Sequence, residues 1–218
     1  HENEIAQSTC ALGKGTFAKV WIHNGMLMVN GAKMSKSLGN FYTVRDLLDQ
    51  AKGEVIRFCL LSTHYRQPLD WNDQTIHQAK ATLDRFYTAI KGYQGQGTTP
   101  DATFVNDLQD DLNVPKALSR LHEIVGEIHK AQNPEEKTAL QGVLVTSGHL
   151  IGIFQETADK WFQGDVSLDV SAIEDLIAQR KDARTQKNFA ESDRIRDLLL
   201  AQGILLEDFP QGTTWRKA

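Results

Sequence analysis

Only two cysteines, Cys10 and Cys59, occur in 218 residues. They are too few for a disulfide framework and too far apart for a Cys-x-x-Cys metal knuckle. Each is expected to be a small apolar core residue in a reducing, cytoplasmic compartment. No run of about 18 or more apolar residues appears, so no membrane span is expected. The opening His1-Glu2-Asn3-Glu4 lacks the basic-then-apolar start of a secretory signal. The missing initial methionine points to a fragment or processed product. Seven histidines are scattered without metal spacing, and His64 and His122 read as surface or packing residues. A net charge of −4 argues against a generic nucleic-acid binder. The distribution of charge says more, because Arg180 to Lys187 reads Arg-Lys-Asp-Ala-Arg-Thr-Gln-Lys, and Arg216-Lys217 lie near the end. A locally basic C-terminal face on an acidic chain is compatible with a structured RNA partner.

Residues 1–43 differ in pattern from the rest. A helix from Glu4 to about Thr9 leads through Gly13 and Gly15 to Val20-Trp21-Ile22-His23. Asn24-Gly25 then reads as a turn into Met26-Leu27-Met28-Val29, and Asn30-Gly31 as another. Two adjacent strands are expected on either side of Asn24-Gly25. Lys33 to Asn40 is polar and aperiodic, a loop. Beyond it Thr43 is expected to cap a helix over 44–52 that Gly53 closes, followed by a helix over 54–62 with Val55, Phe58 and Cys59 on one side. His64 to Pro68 is a break.

A long helix is expected over 72–91, with Leu83, Phe86, Tyr87 and Ile90 at helical spacing. Gly92 to Asp101 reads as a mobile linker. Asn113 and Pro115 open a helix carrying Leu118, Leu121, Val125 and Ile128. Asn133-Pro134 turns into another with Leu140, Leu144, Leu150, Ile151 and Phe154. These stripes are bundle core. Residues 164–170 form a linker, and Ser171 with Glu174 is a capping box for a helix with Ile173, Leu176 and Ile177 inward. Its far end turns basic at Arg180, Arg184 and Lys187. A helix over 191–202 follows, with Ile195, Leu198 and Leu199 inward and Gly203 as its stop. A hairpin around Pro210-Gln211-Gly212 ends the chain. The fold class is mainly α: the end of a Rossmann-like nucleotide-binding domain (1–43), connector helices (44–71), an antiparallel helical bundle (72–163) and a small α+β unit (171–218).

The strongest chemical signal is Lys33-Met34-Ser35-Lys36-Ser37. Two lysines on a mobile loop can neutralise charge that grows on pyrophosphate as it leaves, and the serines add hydroxyl donors. This pentapeptide is similar to the second signature of class I aminoacyl-tRNA synthetases. His1 to Ser8, Asp111 to Ala117, and Leu206 to Arg216 resemble segments of cysteinyl-tRNA synthetases. The resemblance implies ATP-driven adenylation of cysteine and its transfer to the terminal ribose of tRNA(Cys), with ATP, Mg²⁺ and Zn²⁺ as cofactors and a cytoplasmic monomer as the working form. It assigns Lys36 to ATP with Lys33 assisting. It also implies a zinc that reads the substrate thiolate, bound by two cysteines, a histidine and a glutamate. Glu4 matches that glutamate, and its histidine partner falls just before His1. Neither Cys10 nor Cys59 matches the cysteine ligands. In this chain alone Glu4 also reads as a plain surface carboxylate. The family's first signature, His-x-Gly-His, is absent, so the chain by itself is expected neither to form cysteinyl adenylate nor to retain zinc.

The resemblance places anticodon reading in the last fifty residues, on Arg184, Asp193, Asp208 and Trp215. Arginine can donate to a base edge, aspartate can accept from exocyclic amines, and tryptophan can stack on a splayed base. A helix-surface salt bridge for Arg184 and Asp193, and hairpin core for Trp215, are the plainer alternatives. Two other functions stay open: a ligase joining cysteine to an amino-sugar, and a stand-alone tRNA-binding protein derived from a synthetase. Against the first stands the Thr213-Thr214-Trp215-Arg216 ending.

Overall fold

A computed structural model describes residues 1–15, 17–95, 98–163, 170–209 and 212–217. Among them the chain is mostly helical, with a three-stranded and a two-stranded sheet. It divides into two compact units, residues 1–79 with 103–119, and residues 80–102 with 120–218.

The first unit begins with α1 (Glu2–Leu12), longer than expected and without a buried residue. Cys10, on this helix, is exposed, which corrects its reading as core, whereas Cys59 is buried. Strands β1 (Leu27–Val29), β2 (Ala32–Lys33) and β3 (Leu69–Trp71) form a sheet in the order β2-β1-β3. The turn of the hairpin is Asn30-Gly31, not Asn24-Gly25. Asn30 (φ 50°) and Gly31 (φ 76°) are both left-handed, as a two-residue hairpin turn requires. Met28 faces Lys33 and Val29 faces Ala32. The expected strand over 20–23 does not form, and Val20 and Ile22 are exposed.

Gly25 has a different task. Its amide donates to Tyr65 O at 2.6 Å, and a Cβ there would run into the Gln67 carbonyl and Pro68 N. The next strand residues then pair β1 in parallel with β3, Leu27 opposite Leu69 and Val29 opposite Trp71. Gly25→Ala should therefore destabilise this unit by about 1–3 kcal/mol, the usual range for overpacking. Urea unfolding followed by tryptophan fluorescence checks this, and an unchanged midpoint would refute the close approach.

Between β1 and β3 lie α2 (Val44–Leu48) and α3 (Gly53–Leu61). Thr43 and Asp46 form a capping box at α2, as the spacing predicts for Thr43. The helix stops four residues before the expected end, and Gly53 opens α3 instead of closing α2. The Lys52 carbonyl accepts from Val55 N and Ile56 N, so the new helix has already begun. α3 buries Val55, Ile56, Phe58 and Cys59, and desolvation raises the Cys59 thiol pKa.

α4 (Asp73–Ala89) and α6 (Val114–Lys130) contribute to both units. The expected apolar positions Leu83, Phe86, Tyr87, Leu121 and Ile128 are buried. α5 (Ala102–Gln109), unforeseen in the sequence, buries Phe104 and Asp107. α7 (Pro134–His149) is capped by Asn133, whose side chain accepts from Glu136 N. It ends before Leu150, which is 54% exposed and not core. The short α8 (Ala158–Gln163) also escaped the periodicity. Its Trp161 stacks on Tyr87 at 4.3 Å and donates to Asp84 Oδ1 at 2.8 Å.

The last elements are α9 (Val170–Thr185), α10 (Phe189–Ala201), β4 (Ile204–Phe209) and β5 (Gly212–Lys217). Ser171 lies inside α9 and is not its cap; the linker expected over 164–170 falls outside the described residues, save Val170. Asn188 caps α10 by accepting from Glu191 N, which starts that helix two residues early. Ile173, Ile195, Leu199, Ile204 and Trp215 make a small core, with Leu176, Ile177 and Leu206 packed against it. Leu198 is 38% exposed, so the expected inward stripe narrows. The hairpin forms as expected, antiparallel, with Leu206 opposite Trp215.

Candidate functional site

β2 delivers Lys33 directly into the signature segment. Lys36 to Leu38 is a 3-10 turn and not open loop. Ser35 caps it, its Oγ accepting from Leu38 N, and Gly39 (φ 67°) ends it. The neck is closed by Asn40: its Oδ1 accepts from Ser35 N at 2.9 Å, and its Nδ2 donates to Lys33 O at 3.2 Å. This one amide ties Asn40 back to Lys33 and Ser35 within the pentapeptide, a role the sequence reading missed. Polar residues at a turn carry little periodic signal, and only an Asn just after the glycine hinted at it. Lys33 and Lys36 are exposed, and among the described residues neither makes an ion pair. The Lys36 ammonium sits 5.8 Å from the Phe41 ring centre. Two exposed lysines, one ending β2 and one opening a preformed turn, are what an incoming polyphosphate needs.

Glu4 lies on the exposed face of α1. Among the described residues no group of three or more His, Cys, Asp or Glu is placed to hold a metal ion. One surface carboxylate does not constitute a zinc site.

In the C-terminal unit Arg184 and Asp208 come together, while Asp193 and Trp215 do not join them. Asp208 receives Arg180 Nη1 and Nη2, both at 2.9 Å, Arg184 Nη1 at 2.9 Å and the Thr213 hydroxyl at 2.6 Å. The Arg180 bonds, then the Thr213 bond, hold the Asp208 carboxyl well below the usual carboxylate range. Arg180 is 7% exposed, so it is no part of a basic surface. Its Nε is buried without a partner among the described residues. Arg184 is half exposed, with two guanidinium nitrogens uncommitted among the described residues. Asp193 is exposed beside Arg196 at 3.4 Å. Trp215 is 8% exposed and belongs to the small core of this unit.

A further cluster has no counterpart in the sequence reading. Asp111 accepts from the Tyr65 hydroxyl at 2.6 Å and from Arg66 Nε and Nη2 at 2.7 and 3.1 Å. The Arg66 and Tyr65 bonds lower its carboxyl to a pKa of about 2. No residue spacing could reveal this, because the partners are 45 residues apart.

Three family profiles match the chain in order. These are tRNA synthetases class I (C) catalytic domain over residues 1–81, the DALR domain over 103–155, and the cysteinyl-tRNA ligase anticodon binding domain over 170–216. The cysteine–tRNA ligase of Paramagnetospirillum magneticum is 52% identical over 228 aligned positions, covering 100% of this chain and 49% of that protein. Those of Rhodospirillum rubrum and Acidiphilium cryptum are each 50% identical, covering 100% of this chain and 49% and 48% of theirs. The chain spans about half the length of the curated relatives it matches. With its signature turn at Lys33–Ser37 and matches from the first residue to Arg216, this chain belongs to the cysteinyl-tRNA synthetase family.

Proposed function

We propose that the chain supplies the ATP-handling turn and the tRNA-binding parts of a cysteine–tRNA ligase. The observation that carries this is a pair of exposed lysines at a preformed turn, neither in an ion pair among the described residues, on the same chain as matches to a catalytic and an anticodon-binding profile. In the first step the cysteine carboxylate attacks the α-phosphorus of ATP, and the Pα–O bond to pyrophosphate breaks. Lys36, assisted by Lys33, meets the charge that develops on the leaving group. In the second step a terminal ribose hydroxyl of tRNA(Cys) attacks the adenylate carbonyl, and AMP departs. Magnesium would accompany the ATP phosphates. Zinc would belong with cysteine selection, for which this chain offers at most Glu4.

Residues 1–43 form the end of a Rossmann-like nucleotide-binding domain and 44–71 the connector; 72–163 form an antiparallel bundle and 171–218 the anticodon unit, in a cytoplasmic monomer. Exposed apolar side chains on the first segment, among them Phe17, Val20, Ile22 and Met26, favour a partner surface that completes that domain. The match over 170–216 weighs against the amino-sugar ligase.

A chimera tests the reading: the matched half of the P. magneticum ligase is replaced by these 218 residues. It should exchange pyrophosphate into ATP with cysteine and charge tRNA(Cys). A folded chimera that does neither refutes the proposal. The RNA arm needs only the chain itself. Arg184→Ala should cost about 1–3 kcal/mol against tRNA(Cys) and little against an anticodon-swapped tRNA. Filter binding across a salt series measures both, and equal losses would reduce Arg184 to an electrostatic contact.

A further inference from the structure

The segment from Tyr65 to Trp71 touches two things at once within the first unit. On one side it carries the sheet that bears the signature turn. Gly25 N donates to Tyr65 O, Leu69 N to Met26 O and Asn30 N to Trp71 O, and Gly31 N donates to Asp70 Oδ1 at 2.8 Å. On the other side Tyr65 and Arg66 grip Asp111, at the corner between α5 and α6. The Arg66 guanidinium lies 5.0 Å from the Tyr65 ring centre, and the Tyr65 ring stacks on His64 at 4.9 Å.

An exposed ion pair ordinarily contributes little, and Arg66 and Asp111 are each about half exposed. Two features set this one apart. The guanidinium contact is bidentate and shares its carboxylate with a tyrosine hydroxyl, so the geometry is fixed from three donors. The backbone also pays for it: Asp111 and Leu112 are consecutive left-handed residues, both at φ 53°, and neither is glycine. Such strain persists only where surrounding contacts over-determine it. Leu112 is itself exposed, so burying its side chain is not the reason for the bend. The bend aims a carboxylate at Tyr65 and Arg66.

We propose that Asp111 is a positioning residue for the Lys33–Lys36 turn: it fixes the 65–71 segment, and that segment holds the β1–β2 hairpin from which the turn springs. Asp111 touches neither lysine and acts only through the intervening backbone. What the turn does with ATP rests on the function proposed above; where the turn sits does not.

The test uses the 218-residue chain and backbone amide exchange resolved by NMR. Asp111→Asn is the informative variant, because asparagine also accepts the left-handed conformation while losing the charge and one of the two acceptor oxygens that hold Tyr65 and Arg66. Exchange at Gly25, Gly31, Ser35 and Leu69 should accelerate about tenfold relative to Phe58 and Cys59 in α3. Arg66→Lys, which keeps the charge but loses the fork, should fall between the two. Val55→Ala supplies the control. It loosens the α3 core of the same unit without touching the clamp, so the ratio of junction to α3 exchange should not rise. An unchanged ratio in Asp111→Asn, or an equal rise in Val55→Ala, overturns the proposal. Because the readout is backbone protection in the chain itself, the outcome is independent of whether the chimera charges tRNA.

Discussion

Lys36→Ala, introduced into the active chimera, is expected to slow cysteine-dependent pyrophosphate exchange by about 10²–10³-fold, the loss seen when one donor to a developing charge is removed. The KM for ATP should change little. The lysine is exposed and makes no ion pair among the described residues, so no described carboxylate competes for it before pyrophosphate begins to leave. An interaction made only in the transition state lowers kcat and kcat/KM together. Asn40→Ala separates charge from placement. It leaves both ammonium groups but cuts the ties to Ser35 N and Lys33 O, so its loss should be smaller than that of Lys36→Ala and should appear in kcat. An unaltered exchange rate with a raised ATP requirement in Lys36→Ala would mean that the residue binds ground-state ATP and does nothing more.

The sequence made the helices legible where a wide apolar stripe decided them. Leu83, Phe86 and Tyr87, or Leu121 and Ile128, had to be buried together, and they are. It misled where the backbone was decided at long range. Asn24-Gly25 and Asn30-Gly31 are the same dipeptide, yet only the second is a hairpin turn. The first glycine serves the approach of Gln67, more than forty residues away, which no local pattern encodes. The short α8 has too few residues for periodicity, and Trp161 earns its place through Tyr87 and Asp84. The site behaves alike. The lysines of the turn were legible because their spacing is a motif, while Asn40, Asp111 and Arg180 act through partners that only folding brings near. Arg180 is the instructive case: one turn from Arg184, it reads as the same basic face, but it points into the unit.

That geometry sets an order of effects in the small C-terminal unit. Asp208→Ala should be the most damaging single change there, costing about 3–5 kcal/mol, because it strands the Arg180 charge with its side chain 9% exposed. The Arg180 Nε already lacks a partner among the described residues, so no reserve of hydrogen bonds is at hand. Arg180→Met should cost much less. It leaves Asp208, whose side chain is 44% exposed, with water, Arg184 and Thr213. Combined, the two changes should recover much of the loss of Asp208→Ala, since neither charge is then left behind. Urea unfolding of the four proteins measures the cycle, and an Asp208→Ala cost no larger than that of Arg180→Met would contradict the buried-charge account. Acid should act on the same contact. Folding depresses the Asp208 pKa, so its contribution is complete above the unfolded carboxylate value of about 3.9 and is lost as pH falls through the folded one. The parent should therefore lose stability below about pH 4 more steeply than the double variant. The double variant also settles what Asp208 does for RNA. Folded but without the carboxylate, it should still favour tRNA(Cys) over the anticodon-swapped form if Asp208 only holds the hairpin to α9. If that preference vanishes while the unit remains folded, Asp208 takes part in reading, at a base itself or by holding Arg184 at one.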